Sequence, residues 1–163
     1  MPFVKKLNDF CDGRAAQRGY IRLIDGARCR FDLWEPRWRS DASGASAPLP
    51  YDKAVATYGV GKIRRAHTRK AMNSLIQGSA ARQMKLIMRN CWREKLVPLI
   101  TMHDELCFSV SSEYQNERAK ELMIHSLKLR VPSKTDLQWG KNWGMACEET
   151  DNPPSFRELM EAM

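Results

Sequence analysis

The chain has 163 residues, a hydrophobic fraction of 43% and a formal net charge of +8. This length and apolar content suffice for one compact domain with a buried core. The excess of Lys and Arg favours a polyanionic partner, because clustered cations gain affinity for phosphates by releasing counterions. The five cysteines form no C-x-x-C pair, which argues against a disulfide framework and a zinc site. No apolar run approaches the roughly 20 residues of a membrane span, so we expect a soluble, untargeted, cytoplasmic protein without membrane contact.

The first third of the chain predicts a helix, a hairpin and a loop. Apolar residues at helical spacing predict a helix over residues 2–17, which Gly19 would end. Residues 20–24 and 27–31 are short strand-like runs on either side of an Asp-Gly pair, which predicts a β-hairpin. A segment rich in Ser, Ala, Gly and Pro over residues 40–50 predicts a surface loop.

The apolar periodicity of residues 64–95 predicts one long helix with Gly78 in its middle. Gly at such a position costs about 1 kcal/mol relative to Ala, so we expect a close approach there, by helix packing or by a ligand. A polar stripe at steps of four runs beside the apolar face and comprises Arg65, Arg69, Asn73 and Gln77. Spacing alone favours a solvated helix face. Cations also crowd the predicted first turns, where the helix dipole disfavours them, and this favours a surface that faces phosphates.

The sequence around residues 97–129 predicts a second hairpin followed by a helix. Apolar runs over residues 97–101 and 106–110 predict two antiparallel strands with residues 102–105 at their tip. The tip contains His103-Asp104-Glu105 and lacks the Asn-Gly or Asp-Gly pair that favours a tight turn, which suggests that a functional requirement outweighs the local preference. An ordinary acidic loop is the alternative. A helix is predicted over residues 113–129.

Three motifs occur in this order along the chain: R-x-x-x-N-x-x-x-Q-G-S-A-A at residues 69–81, H-D-E at residues 103–105 and W-G-x-N-W at residues 139–143. Together they resemble the motifs of family A DNA polymerases, the bacterial polymerase-I-like and podophage replicative enzymes. Residues 19–28 also resemble the family's G-x-x-x-T-x-x-G-R-R segment, with Arg28 kept and Ala27 where Arg is usual. Arg82 departs from the family, in which an acidic residue commonly follows Gly-Ser-Ala-Ala.

The resemblance covers about residues 2–143 and implies an α+β fold. It is a partial polymerase palm, with a small antiparallel sheet that carries a metal-ligand hairpin and is backed by long helices. Residues 1–147 correspond to the C-terminal part of the fingers and palm, and residues 148–163 form a C-terminal tail. Within the tail, Ser155 and Glu158 predict a capping box at the start of a short helix.

The resemblance also assigns roles to individual residues. Asp104 corresponds to the second metal-binding aspartate, Glu105 to its supporting carboxylate and His103 to a residue near the primer terminus. DNA contacts, chiefly in the primer-template minor groove, are implied for Arg28, Arg65, Arg69, Asn73 and Gln77. Minor-groove donors can address the acceptors that all correct base pairs share, and so test pair geometry without reading sequence.

Nucleotidyl transfer with two Mg²⁺ ions requires carboxylates from separate segments, and no other aspartate follows an apolar strand at an acidic tip. We therefore expect a subunit of a split, bacteriophage DNA-directed DNA polymerase whose two-metal site is completed by another chain. That chain would be an upstream fragment carrying the first metal aspartate and the nucleotide-binding helix, and primer-template DNA and dNTP would be the substrates. Alone, the chain is expected to be inactive. The alternatives are a non-catalytic DNA-binding or assembly protein and an inactive remnant of a polymerase gene.

Overall fold

The computed structural model describes residues 2–38, 47–146 and 155–161. These residues form a mixed structure of helices and short antiparallel strands, which are distributed over sheets of two, three and two strands. The predicted α+β class is confirmed at this level. The chain divides into two compact units, residues 1–82 and residues 83–163, and the boundary falls within the longest helix.

The first unit begins with helix α1 (Pro2–Arg18), followed by a hairpin of strands β1 (Tyr20–Arg22) and β2 (Arg28–Arg30). Both elements confirm the sequence predictions. Gly19 ends α1 with a left-handed φ of 73°, and its N–H donates to the carbonyl oxygen of Ala15 at 2.9 Å. Gly26 has a φ of 85° in the connection between the strands, where residues without a Cβ atom are favoured.

The fully buried residues of α1 are small, and of the large apolar residues that predict the helix Leu7 packs partly buried against the core. Phe3, Val4 and Phe10 are exposed, whereas Cys11 and Ala15 are only 2% and 0% exposed. Small side chains let the backbone of the hairpin approach the helix closely. The buried cluster comprises Cys11, Ala15, Ile21, Phe31 and Ala71.

A three-stranded sheet follows in which β3 (Leu33–Pro36) lies between β4 (Leu49–Pro50) and β5 (Ile63–Arg65). Helix α2 (Tyr51–Tyr58) follows β4, and its first residue places a ring edge-on to Trp34 with centroids 5.1 Å apart. The loop predicted over residues 40–50 falls mostly outside the described residues, and its last two residues form β4 instead.

The long helix predicted over residues 64–95 is shorter, because α3 runs from Ala71 to Arg93. Residues 63–65 are paired with β3, His67 adopts a left-handed φ of 63°, and Thr68–Lys70 form a 3₁₀ turn. The helix prediction for residues 64–70 is therefore wrong, as is the crowding of cations on the first turns. Strand pairing and the burial of Ile63 and Ala66 outweigh helical periodicity in this segment.

The second unit contains the predicted hairpin of strands β6 (Pro98–Met102) and β7 (Glu105–Phe108), which is confirmed. Helix α4 (Glu113–His125) starts where the sequence predicts and ends four residues earlier than the predicted Leu129. The side chain of Ser112 caps α4 by accepting a hydrogen bond from the N–H of Gln115. A buried cluster joins the second half of α3 to α4, and Leu106 and Phe108 pack against it; its members are Ile87, Cys91, Leu96, Ala119 and Leu122.

The C-terminal end of α3 is closed by a left-handed residue and by two backbone hydrogen bonds that the following residues donate to carbonyl oxygens of the helix. Lys95 has a φ of 61°, and its N–H donates to the carbonyl oxygen of Trp92 at 3.0 Å. The N–H of Leu96 reaches back to the carbonyl oxygen of Cys91 at 2.9 Å, and its side chain enters the buried cluster. This is the Schellman arrangement, which usually places glycine at the left-handed position.

The C-terminal described residues include two short helices, α5 (Trp143–Ala146) and α6 (Phe156–Glu161). The predicted capping box is confirmed, because the Ser155 N–H donates to Glu158 Oε2 at 2.7 Å and the Glu158 N–H donates to Ser155 Oγ at 3.3 Å. The ring of Phe156 lies edge-on to Trp139 with centroids 6.2 Å apart, so this part of the predicted tail contacts the W-G-x-N-W segment. Across the described residues, no helix is long and apolar enough to cross a membrane.

Candidate functional site

The acidic tip of the second hairpin is a two-residue connection. Met102 pairs with Glu105, so only His103 and Asp104 lie between the strands. His103 adopts a left-handed φ of 53°, which such short connections require and which a non-glycine residue adopts at a cost. The side chains of His103, Asp104 and Glu105 are all exposed. The tip therefore presents two neighbouring carboxylates outward from a tight turn.

The strands hold this tip against a packed base. Leu106 and Phe108 of β7 contact the buried cluster of α3 and α4, in which Ile87 is 2% exposed and Cys91 is fully buried. Loop 94–96 is tied to α4 by the guanidinium of Arg118, which binds the carboxylate of Glu94 through two N–H groups. This ion pair lowers the pKa of Glu94. A metal ligand must be held in a fixed position. The packing beneath the tip is suited to hold it so.

The donor set at the tip fits part of a magnesium site. Mg²⁺ in nucleotide-processing sites is commonly bound by one or two carboxylates together with waters and substrate phosphates. Asp104 and Glu105 supply carboxylate oxygens of this kind. Throughout residues 2–38, 47–146 and 155–161, no three His, Cys, Asp or Glu side chains converge into one group. Further donors would have to come from elsewhere.

The residues of the predicted polar stripe lie on three different elements of the first unit. Asn73 and Gln77 lie one turn apart on α3 and are exposed, as the sequence predicts. Arg69 is exposed in the 3₁₀ turn that precedes α3. Arg65 belongs to β5, so the four residues do not form one helical stripe.

Arg65 has a packing environment of its own. Its Nη1 donates to the carbonyl oxygen of Phe31 at 2.9 Å, and its guanidinium lies 4.5 Å from the ring centroid of Trp34. It also fills the space beside Gly19, where an added Cβ would lie 2.6 Å from the guanidinium carbon. The helical stripe that motivates a DNA role for Arg65 is thus absent, and its contacts are those of a packing residue.

The close approach expected at Gly78 is made by another part of the same unit. A Cβ on Gly78 would lie 3.0 Å from a methyl group of Leu23. Beside it, Ser79 Oγ accepts a hydrogen bond from the N–H of Ile24 at 3.1 Å, and Arg82 Nε donates to Asp25 Oδ2 at 2.5 Å. Of the two alternatives, helix packing is therefore what the structure shows. Arg82 lowers the pKa of Asp25 and clamps the hairpin to α3.

Sequence analysis overlooked a basic face on the first hairpin. Tyr20 pairs with Arg30 and Arg22 pairs with Arg28, so all four side chains share one face, while Ile21 faces the core. The guanidinium of Arg28 lies 4.6 Å from the Tyr20 ring centroid, and that of Arg22 lies 6.0 Å from it. Directly opposed like charges destabilise a hairpin unless they are neutralised. The alternating pattern Tyr-x-Arg followed by Arg-x-Arg would have revealed this face.

The positive charge of the chain is concentrated in the first unit. Of the 27 Lys and Arg residues, 16 lie in residues 1–82, together with 7 of the 19 Asp and Glu residues, which gives +9. Residues 83–163 carry the other 11 cations and 12 carboxylates, which gives −1. A polyanion would therefore be attracted to the first unit, and the acidic hairpin lies in the second.

Comparison with known proteins identifies the family. The sequence model of the family described as DNA polymerase family A matches residues 4–145. The chain belongs to DNA polymerase family A. It is 36% identical over 155 residues to a DNA-directed DNA polymerase of Pseudomonas phage M6, a match that covers 95% of this chain and 19% of the phage protein. It is also 38% identical over 90 residues to DNA polymerase I of Bacillus subtilis, which covers 50% of this chain and 10% of that protein.

A third similar protein comes from Drosophila melanogaster. DNA polymerase theta of Drosophila melanogaster is 40% identical over 94 residues, covering 47% of this chain and 4% of that protein. The chain thus spans less than a fifth of the length of each of these three relatives. The family resemblance predicted from the sequence motifs is confirmed, while the roles of the individual site residues stay predictions.

Proposed function

We propose that the chain supplies one side of the active site of a DNA-directed DNA polymerase. The observation that carries this proposal is the second hairpin, which presents Asp104 in its two-residue tip and Glu105 at the start of β7, a strand packed against a buried cluster. The match to DNA polymerase family A includes the residues of this tip. In this role Asp104 is a metal ligand, Glu105 supports it, and His103 lies near the primer terminus.

The reaction joins the 3′ oxygen of a primer to the α-phosphorus of a dNTP and breaks the bond to the leaving pyrophosphate. The 3′-hydroxyl gives up its proton as the new bond forms. Two Mg²⁺ ions, when bound, would favour that deprotonation and neutralise the charge on the phosphates. Asp104 and Glu105 would hold the metal side of the site in place, because their strand is packed on α3 and α4 within the second unit.

The first unit is proposed to hold the primer-template duplex. Asn73, Gln77 and Arg69 are exposed and would donate to minor-groove acceptors near the primer end. The basic face of the first hairpin, centred on Arg28 and Tyr20, would contact phosphates and so relieve the repulsion between opposed arginines. If these minor-groove contacts form, Gln77→Ala will slow extension from matched and mismatched termini by different factors. Extension rates equal to those of the unsubstituted protein at every terminus would show that Gln77 lies on a solvated helix face.

We further propose that a second polypeptide completes the site. It would contribute the first metal aspartate, the nucleotide-binding helix and hence the dNTP site. Two features support this: the incomplete donor set at the tip and the exposed apolar residues of β6, which pairs with β7 alone among the described strands. An unpaired strand edge with exposed Leu99 and Ile100 is suited to pairing with another strand. The split arrangement and its bacteriophage origin are parts of this proposal.

Reconstitution with the upstream segment of a family A polymerase tests the proposal. Primer extension in Mg²⁺ should require both polypeptides, and Asp104→Asn should abolish most of it while primer-template binding is retained. Asp136→Asn is the matched control, because Asp136 is an exposed aspartate of the same unit outside the tip. Normal extension by Asp104→Asn would exclude the metal-ligand role. If the chain binds DNA but no extension occurs in the presence of the second polypeptide, the non-catalytic alternative is favoured. The positive charge of the first unit is compatible with such a DNA-binding protein as well.

A further inference from the structure

An ion pair joins the turn of the first hairpin to helix α3. Arg82 Nε donates to Asp25 Oδ2 at 2.5 Å, and Asp25 Oδ1 accepts a hydrogen bond from the N–H of Ala27 at 3.1 Å. The side chain of Asp25 is only 11% exposed, so its carboxylate is largely shielded from water. Arg82 stands where the family pattern has an acidic residue, which would repel a carboxylate at position 25 instead of binding it.

Two further contacts to the same turn lie one helical turn earlier on α3. A Cβ on Gly78 would lie 3.0 Å from a methyl group of Leu23, so the helix and the hairpin approach closely there. The N–H of Ile24 donates to Ser79 Oγ at 3.1 Å. These contacts and the ion pair involve three consecutive residues of the hairpin. The turn is therefore fixed against α3 from residue 23 to residue 25.

The basic face of the first hairpin depends on such support. Its arginines are Arg22, Arg28 and Arg30, and all three are exposed. Opposed like charges destabilise a hairpin, and a hairpin of two strands is at best marginally stable by itself. Arg22 and Arg28 form the strand pair nearest the turn, so motion of the turn would displace these two first. Contact with α3 thus holds in place the backbone that carries them.

We propose that Arg82 is a positioning residue, which acts through Asp25 to preorganise the basic face of the first hairpin for duplex DNA. This inference rests on the proposed function, because it takes the basic face as a surface that binds phosphates. It adds a residue that strengthens DNA binding without touching DNA. Arginines that are held in place before binding lose less conformational entropy when they contact phosphates, so affinity rises without a new contact.

Removal of one negative charge separates positioning from general attraction. Asp25→Asn keeps an oxygen that can accept the Ala27 N–H, but it removes the charge that pairs with Arg82. It also raises the net charge of residues 1–82 above +9, so charge alone predicts tighter DNA binding. Positioning predicts the opposite. Asp25→Asn should weaken binding by about 2- to 12-fold, which corresponds to the roughly 0.5–1.5 kcal/mol needed to order one flexible side chain.

The assay is the fluorescence anisotropy of a labelled blunt duplex, titrated with the full chain at several salt concentrations without dNTP or Mg²⁺. Glu35→Gln is the matched control. Glu35 pairs with Arg64 in the same unit at 2.9 Å, and its side chain is 15% exposed. This variant also loses one carboxylate but leaves the hairpin untouched, so it should bind at least as tightly as the unsubstituted chain. Circular dichroism verifies that each variant is folded.

Substitution of the arginines identifies how the effect reaches DNA. Arg82→Gln should weaken binding but leave the slope of log affinity against log salt unchanged, because no phosphate contact is lost. Arg28→Gln should reduce that slope by about 0.9, the value for one phosphate contact on B-DNA. In a background that carries both Arg22→Gln and Arg28→Gln, Asp25→Asn should no longer weaken binding. A purely structural ion pair would show no such dependence on the hairpin arginines.

Unchanged or tighter duplex binding by Asp25→Asn would overturn the proposal. A salt slope lowered by Arg82→Gln would overturn it as well, because Arg82 would then contact phosphate directly. If Arg28→Gln weakens binding and Asp25→Asn does not, only the positioning role of Arg82 fails. If neither variant weakens binding, the proposed DNA contact of the hairpin fails with it.

Discussion

Substitution of Gly19 tests the packing role of Arg65. Gly19→Ala places a side chain on a left-handed residue, which costs about 1 kcal/mol. The added Cβ would also lie 2.6 Å from the guanidinium carbon of Arg65, so that side chain must move. Its displacement loses a charged hydrogen bond to Phe31, worth about 1.5–3 kcal/mol, and a cation–π contact with Trp34, worth about 0.5–1 kcal/mol. We expect a total loss of about 3–5 kcal/mol in the free energy of unfolding.

A double-mutant cycle separates the two causes. In an Arg65→Ala background there is no guanidinium to displace, so Gly19→Ala should cost only the backbone strain of about 1 kcal/mol. The assay is urea unfolding followed by tryptophan fluorescence, at concentrations at which the protein does not associate. An equal cost of Gly19→Ala in both backgrounds would refute the reasoning. An Arg65→Ala variant with unchanged stability and weakened DNA binding would instead support the predicted DNA contact.

Three further predictions follow from local features. Lys95→Gly should stabilise the chain by about 1 kcal/mol in urea unfolding, since glycine accepts the left-handed position that closes α3, whereas Lys95→Ala should not. Arg82 holds the pKa of Asp25 below its ordinary value, so the pair stabilises the fold at pH above the ordinary pKa, and this contribution disappears as pH falls through the lowered pKa. Asp25→Asn should therefore flatten the acid side of a plot of stability against pH. An unchanged plot would show that the pair contributes no stability. The exposed edge of β6 should cause the isolated chain to self-associate, and Leu99→Lys should reduce its mass by light scattering; a wild-type chain that stays monomeric would contradict this.

Local patterns predicted most of the regular elements because their causes lie within a few residues. The Asp-Gly pair predicted the first hairpin, and the apolar runs around His103 predicted the second. The Ser155–Glu158 capping box was likewise predictable, since both partners lie within one helical turn. The family assignment also followed from sequence, because its motifs occur in order and with their spacing.

Features set by distant partners were not predictable. Arg64 and Arg65 fall within the predicted helix, yet they pair with Glu35 and Trp34 of β3, far earlier in the chain. The role of Arg65 depends on Gly19 and Trp34, neither of which is a helical neighbour. The helix α1 was predicted correctly, but its buried face could not be read from the sequence, because contacts with distant elements place Cys11 and Ala15 in the core and leave Phe3 and Phe10 exposed. Tertiary packing decided each of these cases.

The central claim is that Asp104 binds a catalytic metal, and a change of ligand type tests it most directly. Asp104→Cys replaces a hard carboxylate oxygen with a softer thiolate, which binds Mg²⁺ poorly and accepts softer ions more readily. Single-turnover primer extension is measured with the reconstituted protein in Mg²⁺ and in Mn²⁺, beside Asp136→Cys as the control. We expect Asp104→Cys to lose extension in Mg²⁺ and to recover part of it in Mn²⁺, while Asp136→Cys behaves as the unsubstituted protein in both. Extension by Asp104→Cys in Mg²⁺ at the unsubstituted rate would contradict the assignment.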